Sequence, residues 1–328
     1  MTVYKTYKKK VKPKSQYHKK VDVHFMEITQ ECLLKLYPNC KLIKEPIIEW
    51  DNEEPIPVHL YPIVRQRSPA WFKIKSDYRG SDLPKLTGMF LHRACKLFKY
   101  PSYPGCIDEF VSCTKKEKID LSSKQYILDW GTYHENNGMK ALLDLFKVKG
   151  FEIQIDEVGT YHKDIGCLDF TSSPDGLFTA KGIGGVDQEI KGVIEIKCKN
   201  PYIKDKNGSG YFYNYIEAPD NMAHYQLMQP HLEMFATNRE FALFVIFTLN
   251  GTKVFFIKRD DEYIELIIKI IHFVHKKYRL GKCFDSILKG GVKDPFNDIF
   301  ETYSKFLSKS KQLLELYGSS KTVSWKIK

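Results

Sequence analysis

Ser173-Pro174-Asp175-Gly176 and, further along, Val193-Ile194-Glu195-Ile196-Lys197-Cys198 decide how this sequence reads. The first stretch is a tight turn, since proline presets φ and Asp-Gly tolerates a reversal of the backbone. The second is a strand, and strand side chains alternate between faces. Glu195 and Lys197 therefore share one face, while Ile194, Ile196 and Cys198 point into a core. With Asp175 at the head of the neighbouring strand, its carboxylate and that of Glu195 would converge on one hard divalent cation, with the Ile196 main-chain carbonyl as a third oxygen. Such a donor set suits Mg²⁺ or Mn²⁺. The ion would polarise a scissile phosphate and acidify a bound water, while Lys197 would position that water or stabilise charge developing on phosphorus. Glu-x-Lys and Pro-Asp-Gly are each common on protein surfaces; their order around one apolar strand carries the information.

Working outward, Phe151-Glu152-Ile153-Gln154-Ile155 alternates as a strand, and a second strand is expected around Gly166 to Phe170. Upstream, a helical pattern runs from about Leu121 to Lys149, with Gly150 ending it. Ser68 as N-cap and Pro69 at the first helical position start an earlier helix, which Gly80 should break. Before that lie a helical pattern over 22–42 and a stretch with Pro55, Pro57 and Pro62 that reads as a linker. Downstream come a helix near 221–236, a hairpin of two apolar strands turning at Asn250-Gly251 as a type I′ turn, and amphipathic helices at about 261–279 and 297–317. The sum is an α/β (α+β) fold, a mixed central sheet flanked by helices with helical extensions at both ends. Four segments are expected: a basic arm over 1–20, a helical extension and linker over 21–60, a core domain over 61–285, and a C-terminal helical extension over 286–328.

Of 328 residues 51 are Lys or Arg and 40 are Asp or Glu, for a net charge of +11. Residues 1–20 hold eight lysines and no acid, so the other 308 residues carry 43 basic and 40 acidic groups, or +3. Most of the excess is thus an arm that would grip phosphates, act as a nuclear address or simply solubilise the chain. At 14% aromatic the sequence is no disordered chain, and its longest apolar run, Phe241 to Leu249, is too short to span a membrane. The lysine-rich start and eight scattered cysteines fit an intracellular, soluble protein with reduced thiols, and leave nucleus and cytoplasm undistinguished. There is no Cys-x-x-Cys, and a single cysteine lies beyond Cys198, which argues against zinc and against a four-cysteine cluster. His224 and His231 are two helical turns apart, too far to share an ion, and read as packing residues.

Four blocks in one order, Trp130-Gly131-x-x-His134-Glu135-Asn136, Ser173-Pro174-Asp175-Gly176-Leu177, Glu195-Ile196-Lys197-Cys198 and Gln229-x-His231-x-x-Met234-x-x-Thr237, resemble the phage lambda exonuclease and viral alkaline exonuclease family. That family belongs to the restriction-endonuclease-like nucleases, and the likeness covers roughly 65–280. It implies a restriction-endonuclease-like core, Asp175 and Glu195 as metal ligands, Lys197 as the catalytic lysine, Glu135 completing the site from its helix, and Gln229 beside the nucleophilic water. Gln226, one turn away on the same helix face, is a rival for the last role, and Pro230 should kink that helix. Where the family has an arginine holding the terminal phosphate, this chain has Lys75, with Arg67, Arg79 and Ser81 nearby to share the task. The segment from Asp175 to Glu195 is longer than in the phage enzyme and reads as an extended hairpin loop. Its Gly-x-Gly-Gly opens no helix and is no nucleotide fingerprint.

The resemblance implies a metal-dependent DNA exonuclease acting 5′ to 3′ on linear duplex DNA with free ends and leaving 3′ single strands for viral recombination or repair. A single-strand annealing protein as partner and a homo-oligomer would fit that role. The alternatives are an endonuclease or nickase on the same core, and a DNA-binding recombination protein that does not cut.

Overall fold

The computed structural model describes residues 33, 35–37, 40–41, 56–77, 86–87, 125–166, 169–183, 188–204, 211–279, 299–318 and 324–327. The basic arm, Arg79, Ser81 and most of the expected 22–42 helix lie outside the described residues; Leu33, Lys35 and Leu36, which belong to that helix, are helical.

A seven-stranded mixed sheet forms the centre. Its order is β1 (Cys40–Lys41), β3 (Glu152–Asp156), β6 (Gly176–Lys181), β7 (Ile190–Cys198), β10 (Phe241–Thr248), β11 (Gly251–Lys258) and β12 (Ser324–Ile327). β6 and β7 pair as an antiparallel hairpin, β10 lies parallel to β7, and β10 and β11 form a second hairpin. Helices cover both faces, which is why β10 is buried along almost its whole length and reads as an unbroken apolar run. One face packs on α2 (Gln125–Lys149), through Leu142, Phe146, Ile194, Ile196, Leu243 and Val245. The other packs on α3 (His224–Thr237), α4 (Asp261–Arg279) and α5 (Phe300–Tyr317), through residues such as Val193, Leu227, Phe244, Tyr263 and Phe306. This is the mixed sheet between helices that the sequence leads one to expect. Among the described residues no helix is long and apolar enough to cross a membrane.

Several local expectations change. The strand placed at 166–170 is instead two, β4 (Tyr161–Asp164) and β5 (Asp169–Ser172), which pair with each other, while β5 also pairs with β2 (Leu86–Thr87), in a small separate sheet. Gly166, at φ 85°, lies in the connection between them, in a conformation glycine adopts without steric cost. The β10–β11 loop is Leu249-Asn250 rather than Asn250-Gly251, because Thr248 pairs with Gly251. Neither loop residue has the positive φ that a type I′ turn needs. Asn250 is spent elsewhere: its amide donates to the Ile216 carbonyl at 3.0 Å, and its main-chain N–H donates to Thr248 Oγ1 at 3.2 Å. A further small hairpin joins β8 (Tyr202–Lys204) to β9 (Tyr211–Tyr213).

Residues 56–62, the end of the stretch that reads as a linker, are packed. A 3-10 turn over Val58–Ile63 buries Tyr61 with Ile56, Val64, Ala70 and Ile74. Gly159 and Thr160 donate main-chain hydrogen bonds to Pro62 and Tyr61 at 2.7 and 3.0 Å. A Cβ on Gly159 would stand 2.3 Å from the Tyr61 and Val64 carbonyl oxygens, so only glycine lets the two segments meet. Helix α1 (Pro69–Asp77) starts as expected, with Ser68 Oγ accepting the Trp71 N–H at 3.2 Å.

Candidate active site

Asp175 sits immediately before β6, and its main-chain N–H donates to the Ile194 carbonyl at 2.9 Å. Its Oδ2 accepts the Ile196 N–H at 2.6 Å, which fixes the carboxylate against β7 between Glu195 and Lys197. Glu195, 3% exposed, accepts from Lys197 Nζ and, at 2.6 Å, from Gln229 Nε2. The strand thus presents a carboxylate and an ammonium on one face, and the helix above supplies an amide.

Two helices bring the rest. On α2, Glu135 forms an ion pair with Arg67 from the loop before α1. The helix approaches β7 closely at Gly138, where a Cβ would lie 2.6 Å from Ile196 Cγ2. On α3, Gln229 faces the strand. Gln226, its rival, turns back instead and accepts the Ala223 N–H at 2.8 Å as part of the helix cap. Pro230 lies within α3, which remains a single helix from His224 to Thr237.

The electrostatics follow from crowding charge where water is scarce. Burial, together with the charges of Glu195 and Glu135, pushes the Asp175 carboxyl well above the usual carboxylate range. Glu135 is raised as well, chiefly by burial and against the pull of Arg67. Burial works against the charge on Lys197, but Glu195 and Asp175 outweigh it and hold the ammonium above the ordinary lysine value. Cys198, next along the strand, has its thiol pushed up by burial and by Asp175, so it is a poor nucleophile.

This surplus of carboxylates is what a cation would relieve. Among the described residues no three His, Cys, Asp or Glu side chains form a ready-made cage. Mg²⁺ is commonly held by one or two carboxylates and keeps several of its own waters. The hard oxygen donors of Asp175 and Glu195 fit that demand.

Of the phosphate candidates, Arg67 stands at the site through Glu135, while Lys75 lies over the Trp71 ring, 5.0 Å from its centroid. Arg79 and Ser81 lie outside the described residues. Sequence reasoning missed two participants. Gln66 Nε2 donates to the Val158 and Pro174 carbonyls at 3.0 and 2.8 Å, tying the segment before α1 to the turn that carries Asp175. Glu233, one turn beyond Gln229, accepts from that amide at 2.9 Å. Its spacing of four from Gln229 was a usable signal, since such residues share a helix face.

No protein-family model matches the chain, and no curated protein does. Among solved structures the chain is similar to LHK-Exo, an alkaline exonuclease from Laribacter hongkongensis, at 20% identity over 65% of this chain and 99% of that one, with TM-score 0.38. LHK-Exo in complex with dAMP gives 21% identity, the same coverage and TM-score 0.39. SSO0001 is similar at 13% identity over 62% of this chain and 82% of its own, with TM-score 0.29.

Proposed function

We propose that the chain is a metal-dependent DNA exonuclease that hydrolyses one strand of linear duplex DNA from its 5′ end and leaves a 3′ single strand. One observation carries the reading: Asp175, at the mouth of the β6–β7 hairpin, is hydrogen-bonded to the main chain between Glu195 and Lys197, while Glu135 and Gln229 arrive from the two flanking helices. The 5′ polarity and a role in viral recombination or repair follow from the sequence resemblance. A single-strand annealing protein and further copies of the chain are the partners that such a product calls for.

Asp175, Glu195 and the Ile196 carbonyl are the oxygens that would hold the ion. Mg²⁺ or Mn²⁺, when bound, supplies Lewis acidity toward a phosphate oxygen and acidifies a coordinated water. Lys197, kept protonated by Glu195 and Asp175, presents a fixed positive charge to the charge that grows on phosphorus. With both amide hydrogens of Gln229 engaged by Glu195 and Glu233, its carbonyl oxygen is left to accept a hydrogen bond from the attacking water. Arg67 and Lys75, with Arg79 and Ser81, supply positive charge and a hydroxyl for the 5′ phosphate.

The test uses three substrates, each with and without Mg²⁺: linear 5′-phosphorylated duplex, linear dephosphorylated duplex and a supercoiled circle. The expected result is Mg²⁺-dependent loss of the phosphorylated duplex, slower loss of the dephosphorylated one and an intact circle. Rapid cutting of the circle would make the protein an endonuclease, and no cutting of any substrate would end the nuclease reading.

A further inference from the structure

Glu233 is 2% exposed on α3, where it contacts Gln229 and also stands against Glu195; burial and that neighbouring carboxylate push its carboxyl well above the usual carboxylate range. Its Oε1 accepts the Gln229 amide, whose nitrogen also donates to Glu195 Oε1, at 2.9 and 2.6 Å. Its Oε2 is buried without a hydrogen-bond partner among the described residues. A buried carboxyl group with an unsatisfied oxygen is costly, and a methionine would fill much the same volume without that cost. Packing alone therefore does not account for a glutamate here.

The geometry does. A primary amide has two N–H donors on one side and a carbonyl acceptor on the other. Two carboxyl groups facing the nitrogen engage both donors, and turning the amide over would set its carbonyl against both of them. We propose that Glu233 is a positioning residue: through the Gln229 amide it fixes which side of that amide, and which oxygen of Glu195, faces the reacting groups. With Glu233 removed, a single carboxylate holds the amide, and rotation about its last torsion is no longer blocked. The inference rests on the nuclease reading for its effect on rate, although the orientation of the amide can be read without any activity.

The test compares Glu233→Met, Glu233→Gln, Gln229→Ala and the double variant Gln229→Ala/Glu233→Met, each checked by thermal unfolding. Glu233→Met should lower kcat by about 10- to 100-fold with little change in KM, as loss of partners that orient a ligand commonly does. Glu233→Gln keeps an oxygen acceptor and should recover most of that loss. In the Gln229→Ala background, adding Glu233→Met should cost nothing further. Equal losses in both backgrounds, or a Glu233→Met enzyme at the wild-type rate, would overturn the proposal.

The second readout is the side-chain ¹H–¹⁵N signal of Gln229, assigned by its disappearance in Gln229→Ala. In the wild type both protons should exchange slowly with solvent, and in Glu233→Met one should move upfield and exchange faster. If Glu233→Met does not fold, the wild-type signal decides alone: two rapidly exchanging protons would overturn the proposal. A wild-type protein that cuts no DNA yet shows the protected pair would refute the nuclease reading and leave the positioning role standing.

Discussion

The two faces of strand β7 are built from alternate residues of one short sequence and do opposite work. Ile194, Ile196 and the half-buried Cys198 meet α2 across a dry contact close enough to need Gly138. Glu195 and Lys197, one residue out of step, meet Gln229 and Glu233 of α3 in a network of charges and an amide. A period of two makes this possible, because a strand sorts its side chains by parity without any change in the backbone. The difference teaches that the site is not set into a polar region: it is placed against an apolar core, where charges are weakly screened and geometry is held by packing. Glu135 then comes from the dry-face helix and Gln229 from the charged-face helix, so the candidate site draws on both layers.

The sharpest way to break the contrast is to neutralise the charged face while keeping its shape. Asp175→Asn and Glu195→Gln should reduce Mg²⁺-dependent cleavage to background while duplex binding, measured by anisotropy, survives. Either variant cutting at the wild-type rate would remove these carboxylates from the chemistry. Lys197→Ala should lower kcat and leave the Mg²⁺ concentration at half-maximal activity nearly unchanged, because its charge acts on the transition state.

The dry face should fail differently. Ile196→Ala removes a 6% exposed side chain from the α2 contact and should cost about 2–5 kcal/mol in urea unfolding, with cleavage per folded molecule largely kept. A loss of activity with stability intact would mean that the two faces are not separable at this residue.

Acid separates the layers by a third route. His231 is fully buried on α3, its Nδ1 2.8 Å from the Leu227 carbonyl oxygen and its ring edge-on to Tyr263 at 5.1 Å. Burial lowers its pKa from 6.5 to about 4. The folded protein therefore keeps the ring neutral while the unfolded chain takes up a proton, so this contribution is intact above the unfolded value and is lost as pH falls from about 6.5 toward 4. At pH 5 the loss relative to pH 7.5 should be about 2 kcal/mol, read as a lower urea midpoint, and His231→Met should show less of it. An identical pH dependence in both proteins would assign the acid sensitivity elsewhere. His134, on α2 of the other layer, is lowered by burial as well.

Much of this is legible in the sequence because parity and order survive there. Alternation alone sorts Glu195, Lys197 and their apolar neighbours by face, and the helix before Gly150 is placed by its period and stop signal. What stays hidden is information carried by distant contacts. Local propensity favours a turn at Asn250-Gly251, yet Asn250 is engaged by residues 213–216, and the loop falls one residue earlier. The proline-rich stretch before Ile63 has the composition of a tether because nothing local reveals that Gly159 and Thr160 pair with it. Gln66 gives no signal for the same reason: its partners are Val158 and Pro174, some hundred residues away.

The smallest expected effect tests the strut between the loop before α1 and the dry-face helix. Arg67 has φ 65°, a left-handed conformation that costs a residue with a Cβ about 1–2 kcal/mol, and its guanidinium pairs with Glu135. The pair is partly exposed, so its own contribution should be about 0–1 kcal/mol. Arg67→Ala loses the pair and keeps the strain; Arg67→Gly loses the pair and relieves it, offset in part by the entropy glycine gains in the unfolded chain. The glycine variant should therefore be the more stable of the two by about 1 kcal/mol in urea unfolding, although glycine is ordinarily the weaker choice. Equal stabilities would show that the left-handed residue carries no strain. Both variants should bind 5′-phosphorylated duplex more weakly than the wild type if the guanidinium leaves Glu135 for a phosphate, and equal binding would mean that it serves only to hold that helix in place.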